Sequence, residues 1–185
     1  MKIVVVLNSE PNSGKDTVAK YMHDQYGYIV KEMKNKLYHD VAEYYNVPVD
    51  LIKMLHNDRL LKEKPNDFFA GKSPRDAMIH VAEKVIKPVH GVDHYAENIF
   101  HDILADKEHG FFVISDGGSP SEEEVINKYR LHEDLKIKTI YVDRRQNYQS
   151  NDVRRKFKQI NATIDNNGTL QQLYEHIDNI VGIYS

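Results

Sequence analysis

The sequence predicts an α/β fold built on a mostly parallel, five-stranded sheet with helices on both faces. Two observations carry this. Ile3–Leu7 is a continuous apolar, β-branched run that suits a strand buried on both faces, and Phe111–Ser115 reads as a second buried strand. Strand-like runs then alternate with helix-like stretches along the chain, the order that gives a parallel sheet. The length, 185 residues, suits one domain with a core of its own.

The elements follow in order. After Ile3–Leu7 comes a turn-rich stretch, Asn8 to Gly14. Thr17, Val18, Tyr21 and Met22 then recur at helical spacing up to a stop at Gly27. Tyr28–Met33 reads as a short strand. Leu37, Val41, Tyr44 and Tyr45 mark a second helix, and Leu51, Ile52, Leu55 and Leu60 a third, ending near Pro65. Asn66–Lys72 reads as a loop. Ser73-Pro74-Arg75-Asp76 starts a helix with Ser at the cap, Pro in the first turn and an acid three residues on; this helix is expected to stop near Ile86, before Pro88. A helix over Val92–Asp106 and the strand Phe111–Ser115 follow. Ser119-Pro120-Ser121-Glu122 repeats the helix start. Ile137–Val142 reads as a strand, Ile160–Ile164 as a last strand, and Thr169–Val181 as a last helix with a Thr169/Gln172 capping box. Two segments stand out as insertions: about 34–105, helical, and about 144–160, basic.

Composition excludes several classes. With no Cys, there is no disulfide scaffold, thiolate zinc site or thiol nucleophile. A net charge of −3 lacks the basic footprint of a nucleic-acid binder. No apolar run reaches membrane-spanning length, and the N-terminus lacks a signal-peptide pattern, so neither nucleic acid nor membrane is an expected partner. The expected setting is the cytoplasm, or the host cytoplasm if the protein is viral.

The strongest chemical signal is Ser9-Glu10-Pro11-Asn12-Ser13-Gly14-Lys15-Asp16-Thr17, between a buried strand and an amphipathic helix. This is the setting of a phosphate-binding loop, where successive backbone N–H groups and a helix N-terminus converge on one anion; the alternative is a polar strand-to-helix turn with a chance Gly-Lys. The phosphate-loop reading makes the fold a P-loop three-layer sandwich. Asn12, Ser13, Gly14, Lys15, Asp16 and Thr17 are the expected nucleotide contacts, with Gly14 allowing close backbone approach and Lys15 reaching the β- and γ-phosphates. Ser9 stands where the motif has its first Gly, and Asp16 where it has Ser or Thr. Asp16 has two readings: a Mg²⁺ ligand, direct or through water, with Thr17 lending a hydroxyl, or an acid merely favoured by the helix dipole. Asp116, at the carboxyl end of a buried strand, is either a partner of that metal or the start of a Gly117-Gly118 turn.

Residues 144–158 carry Arg144, Arg145, Arg154, Arg155, Lys156 and Lys158 against Asp152, a net +5 that leaves −8 for the rest. Clustered Arg suits a phosphate clamp that closes over a polyphosphate, because the guanidinium fork bonds phosphate oxygens in pairs. A solvated basic helix, or a nucleic-acid contact, is the alternative. His90, His94 and His101 have metal-like spacing, but Pro88 and Gly91 interrupt the helix and ordinary surface histidines are the simpler reading. Lys34 and Lys36 precede a helix and suit either acceptor phosphate or solvent.

These motifs together resemble the phage-type deoxynucleoside monophosphate kinases. Ser13-Gly14-Lys15-Asp16-Thr17 resembles their loop, and Lys72-Ser73-Pro74-Arg75-Asp76, with Glu83 beyond it, their Ser/Thr-Pro-Arg helix start. Gly91-Val92-Asp93-His94-Tyr95 is similar to their Gly-x-Asp-x-Trp, with Tyr95 for Trp. Asp116-Gly117-Gly118-Ser119-Pro120-Ser121-Glu122 is similar to their Asp-x-Arg-x-Pro-Asn-Glu, with Gly118 for Arg. Ile164 to Ile177 resembles their closing strand, Asn-Gly-Thr-Leu turn and last helix. The resemblance implies Mg²⁺-ATP as donor and a deoxynucleoside monophosphate as acceptor. It makes 34–105 an acceptor-binding insertion and 144–160 a small basic lid. Arg75 holds the acceptor phosphate, with Lys36, Tyr95 and Asp116 as further acceptor contacts. Lys15, Arg144, Arg145, Arg154 and Arg155 meet the transferring group, and Asp16, Thr17 and Asp116 the metal. The Ser-Gly-Lys-Asp string also appears in animal-type phosphomevalonate kinases, so another small phosphorylated acceptor stays open, as does a non-catalytic nucleotide-binding module. A homodimer is compatible with the sequence, which does not determine oligomeric state.

Overall fold

The computed structural model describes residues 1–145 and 156–181. The chain divides into two compact units, one of residues 1–32 with 99–185 and the other of residues 33–98.

The first unit is built on five strands, β1 (Lys2–Asn8), β2 (Ile29–Lys31), β3 (Phe111–Gly117), β4 (Leu135–Asp143) and β5 (Ala162–Asp165), in the spatial order β2-β3-β1-β4-β5. All four pairings are parallel, so the sheet is wholly parallel. Val4, Val5, Val6 and Leu7 of the central β1 are fully buried because both faces are covered. On one face α1 (Lys15–Tyr26) and α8 (Leu170–Val181) bring Val18, Met22, Leu173 and Ile177 onto Val5, Leu7, Val113, Ile140 and Val142. Val4 and Val6 point the other way by strand alternation. That side carries α7 (Pro120–Tyr129) and the later part of α6 (His94–Ala105), where Phe100 stacks on Tyr129 with centroids 4.5 Å apart. Lys2 Nζ binds the Ile103 and Asp106 carbonyls, meeting the negative end of α6 with a cation. The predicted α/β sandwich is thus the observed one.

The second unit is helical: α2 (Lys34–Tyr45), α3 (Val49–Asn57), α4 (Pro74–His80), a π turn (Val81–Ile86), α5 (Lys87–His90) and the start of α6. Its core packs Tyr38, Val41, Ile52, Leu55, Phe69, Ala77, Met78 and Val81. Several boundaries differ from expectation. The third helix stops at Asn57 because the Asp58 carboxylate accepts from the Leu60 and Leu61 N–H groups (2.7 and 3.1 Å), an Asx-type turn that leaves Leu60 exposed. Within the expected loop 66–72, Asp67–Phe69 forms a 3₁₀ turn capped by the Asn66 side chain. The helix after Ser73 does not stop at Ile86. It widens into the π turn and runs through Pro88 to His90. Pro88 offers no N–H and its ring crowds the carbonyl four residues back, a conflict that a wider turn relieves. Gly91, at φ 97°, then ends it, and α6 begins at His94 rather than Val92.

Candidate phosphate-binding site

In the sheet of the first unit the strand order reverses beside β1, with β3 and β2 on one side and β4 and β5 on the other. The crevice outside the carboxyl ends at such a reversal is where open α/β sheets bind ligands. Registers Asn8↔Gly117, Asn8↔Tyr141 and Asp143↔Asp165 bring four strand ends to this edge.

The phosphate loop leaves β1 here. Asn12 (φ 61°) and Gly14 (φ 96°) both take the left-handed conformation, which bends residues 9–14 back toward α1. Gly14 occupies the N-cap position of α1 and no side chain caps that end, whereas Ser73, Ser119 and Thr169 side chains cap α4, α7 and α8. Lys15 lies inside the loop, 8% exposed. Its ammonium donates to Ser9 Oγ at 2.7 Å and to the Glu10 carbonyl at 3.4 Å. Ser9 also donates to the Glu10 carbonyl (2.8 Å) and contacts the Ser13 hydroxyl. Ser9, the residue that departs from the motif, is therefore fully buried and holds the catalytic-lysine candidate; its role was invisible in the pattern.

Asp16 and Thr17 are exposed in the first turn of α1. Asp16 lines a groove of about 190 Å³ between α1 and the ends of β2 and β3, with Val30, Glu32 and Ser115. Ser115 Oγ is buried there without a hydrogen-bond partner. Asp116 is half-buried on β3, the neighbour of β1, but is not part of that groove. Among the described residues no three His, Asp or Glu side chains converge as a metal cage. Mg²⁺ bound to nucleotide phosphates needs only one or two protein oxygens, and Asp16, Thr17 and Asp116 are of the right chemistry.

The basic segment is rooted at the same edge. Arg144 and Arg145 follow β4 directly, both exposed, and the Arg145 N–H donates to Asn167 Oδ1 at 2.6 Å. Arg154 and Arg155 lie outside the described residues. At the far root, Phe157 is buried and its N–H donates to Asn8 Oδ1 at 3.0 Å. Lys156 lies over the Tyr141 ring, 4.5 Å from its centroid. Buried Glu123 accepts from the Lys158 and Gln159 N–H groups. The Glu122 side chain accepts from Gly118 and Ser119 N–H (2.7 Å each), which ties Gly118 to the capped start of α7. Asn166, from the β5–α8 turn, donates to the Ser13 carbonyl at 2.7 Å. Asn8, Glu123, Phe157, Asn166 and Asn167 were all missed by sequence reasoning. For the last two, the Asn166-Asn167-Gly168-Thr169 turn was the available signal.

Three candidates lie in the helical unit. Arg75 sits at the second position of α4, and its Nε donates to Glu63 Oε1 at 2.7 Å. Its neighbour in charge is His56, which bonds the buried Tyr38 hydroxyl at 3.0 Å. Burial first, then the Lys34, Lys62 and Arg75 charges, hold the His56 imidazole down to about 4. The sequence pointed to Arg75 and Lys34; Lys62 and His56 emerge with them. Lys36 is ion-paired with Asp40 one turn on. Tyr95 is half-buried, and burial, followed by the Asp40 carboxylate, pushes its phenol well above the usual range. Burial and the adjacent His90 lower His94.

Comparison with protein-family models and with curated proteins gives no match. Among solved structures, the chain is similar over its full length to the crystal structure of TT1252 from Thermus thermophilus. The TM-score is 0.54 at 17% identity, covering 100% of this chain and 98% of that one. That likeness shows the three-layer α/β fold. No helix among the described residues is long and apolar enough to cross a membrane.

Proposed function

We propose that the protein is a P-loop kinase that transfers the γ-phosphoryl group of ATP to a (deoxy)nucleoside monophosphate. One observation carries this reading: an ammonium, Lys15, buried inside a glycine-bent loop between β1 and an α1 N-terminus that no side chain caps. A buried ammonium that donates to a hydroxyl and a carbonyl is also suited to donate to an anionic ligand. The loop amides and the helix end supply further donors for it.

Phosphoryl transfer asks the protein for positioning and charge neutralisation, not a covalent intermediate. In this reading Lys15 and the loop bind the donor phosphates. Asp16, Thr17 and Asp116 are the oxygen donors for Mg²⁺, which neutralises phosphate charge when bound. Arg75, with Lys34 and Lys62 near it, meets the acceptor phosphate. Arg144 and Arg145 face developing charge at the sheet edge, and Arg154 and Arg155 extend the same basic segment. The acceptor phosphate is already an anion, so no general base is needed.

A second reading keeps the donor and changes the acceptor to another small phosphorylated metabolite. Gly118 favours it, because a residue without a side chain stands where an acceptor-contacting Arg was expected. An ADP-release assay with Mg²⁺-ATP across deoxy- and ribonucleoside monophosphates separates the two. We expect turnover with at least one of them, and a fall of about 10³-fold in a folded Lys15→Ala variant. Wild-type turnover in that variant defeats the mechanism. ADP release with none of the monophosphates but with another phosphorylated acceptor selects the second reading.

A further inference from the structure

We propose that Asn166 is a positioning residue for the phosphate loop, an inference that rests on the kinase reading above. Its carboxamide Nδ2 donates to the Ser13 carbonyl at 2.7 Å across 153 residues of chain. In a trans peptide the carbonyl and the following N–H point in opposite directions. Fixing the Ser13 carbonyl on the Asn166 side therefore aims the Gly14 N–H away from it, toward the anion that Lys15 serves. An unbraced glycine peptide is free to flip, since both signs of φ are open to it. Asn166 removes that freedom before ligand arrives and so lowers the ordering cost of binding.

Gly14 fits this role twice. Its φ of 96° disfavours a side chain, and a Cβ built on it falls 2.4 Å from Asn166 Nδ2. The missing side chain thus makes room for the brace.

The turn that presents Asn166 is itself tied down. The Asn166 N–H donates to the Asp143 carbonyl at 2.8 Å, Asp165 Oδ1 accepts from the Asn167 N–H at 2.9 Å, and Thr169 and Gln172 form a capping box. The next residue, Asn167, receives the Arg145 N–H. One turn therefore sets the phosphate loop on one side and the Arg144-Arg145 pair on the other.

The test is calorimetry with ADP, alongside steady-state kinetics, on wild type, Asn166→Ala, Asn166→Asp and Asn167→Ala. Losing one neutral hydrogen bond and the order it imposes is expected to weaken ADP binding about tenfold in Asn166→Ala. Asn166→Asp keeps the shape but places acceptors against the Ser13 carbonyl, and loses at least as much. Both are expected to raise the KM for ATP while leaving the KM for the acceptor unchanged, a split that general loosening does not produce. Asn167→Ala, in the same turn, is expected to bind ADP within about twofold of wild type and to lower kcat, since it releases the arginine root. ADP binding within twofold of wild type in both Asn166 variants overturns the inference alone. Wild-type protein that binds no ADP overturns it together with the kinase reading.

Discussion

The proposed phosphate loop and the cationic corner of the helical unit are built by different means. The loop, Ser9 to Lys15, is contiguous in sequence, buried, and shaped by backbone: two left-handed residues, a glycine N-cap and a brace from Asn166. The corner gathers Lys34, Lys62 and Arg75 from three separate segments around His56. Its best-defined contact is the partly exposed Arg75–Glu63 pair. A site made of fixed dipoles keeps its geometry without ligand. A site made of long side chains at the surface is screened by salt and holds its shape weakly. On the kinase reading proposed above, donor binding depends on conformation and acceptor binding on charge.

Two substitutions test that division, the larger effect first. Gly14→Ala puts a side chain at φ 96° and against Asn166, at a cost of about 1–3 kcal/mol in stability. Nucleotide affinity by calorimetry is expected to fall about 100-fold, with any binding to the corner unaffected. Near-normal ATP affinity in this variant removes the conformational half of the comparison. Arg75→Ala is expected to raise the acceptor KM about tenfold, leave the ATP KM alone, and change stability by less than about 1 kcal/mol, because the Glu63 pair is exposed. Raising salt in the wild type is expected to move the acceptor KM the same way. A KM for ATP that shifts instead assigns Arg75 to the donor.

The smallest effect concerns pH. His56 has a folded value of about 4 against an ordinary value near 6.5, so the unfolded chain takes up its proton first. The contribution is complete above pH 6.5 and is lost as pH falls from 6.5 toward 4. After allowance for partial exposure it amounts to about 1–2 kcal/mol. Denaturant unfolding at pH 7 and pH 4.5 is expected to show this loss in the wild type and a smaller loss in His56→Asn. Equal losses in both would remove His56 from the account.

Much of the sheet was legible because parallel strands buried on both faces read as unbroken apolar runs; β1 and β3 announce themselves in this way, whereas β4 carries Lys136 and Lys138 among its apolar residues. The helix ends were less so. The Asp58 turn overrides an apolar spacing that continues to Leu60, and the π turn before Pro88 carries a helix past a residue that ordinarily stops one. The loop residues 12–17 were readable because their arrangement is local. Ser9 looked like a defect in the pattern, yet its hydroxyl receives Lys15.

The amino-acid sequence by itself determined the strand–loop–helix unit around Gly14, the Ser-Pro helix starts and the absence of thiol chemistry, since each depends on neighbours a few residues apart. Only the tertiary structure decided what holds that unit in place. Asn166 reaching Ser13, Asn8 holding Phe157 and Glu123 holding residues 158–159 join parts of the chain separated by 35 to 153 residues. Such contacts have no periodicity to read. They exist because parallel crossovers return distant segments to one edge of the sheet, where buried backbone groups must find partners.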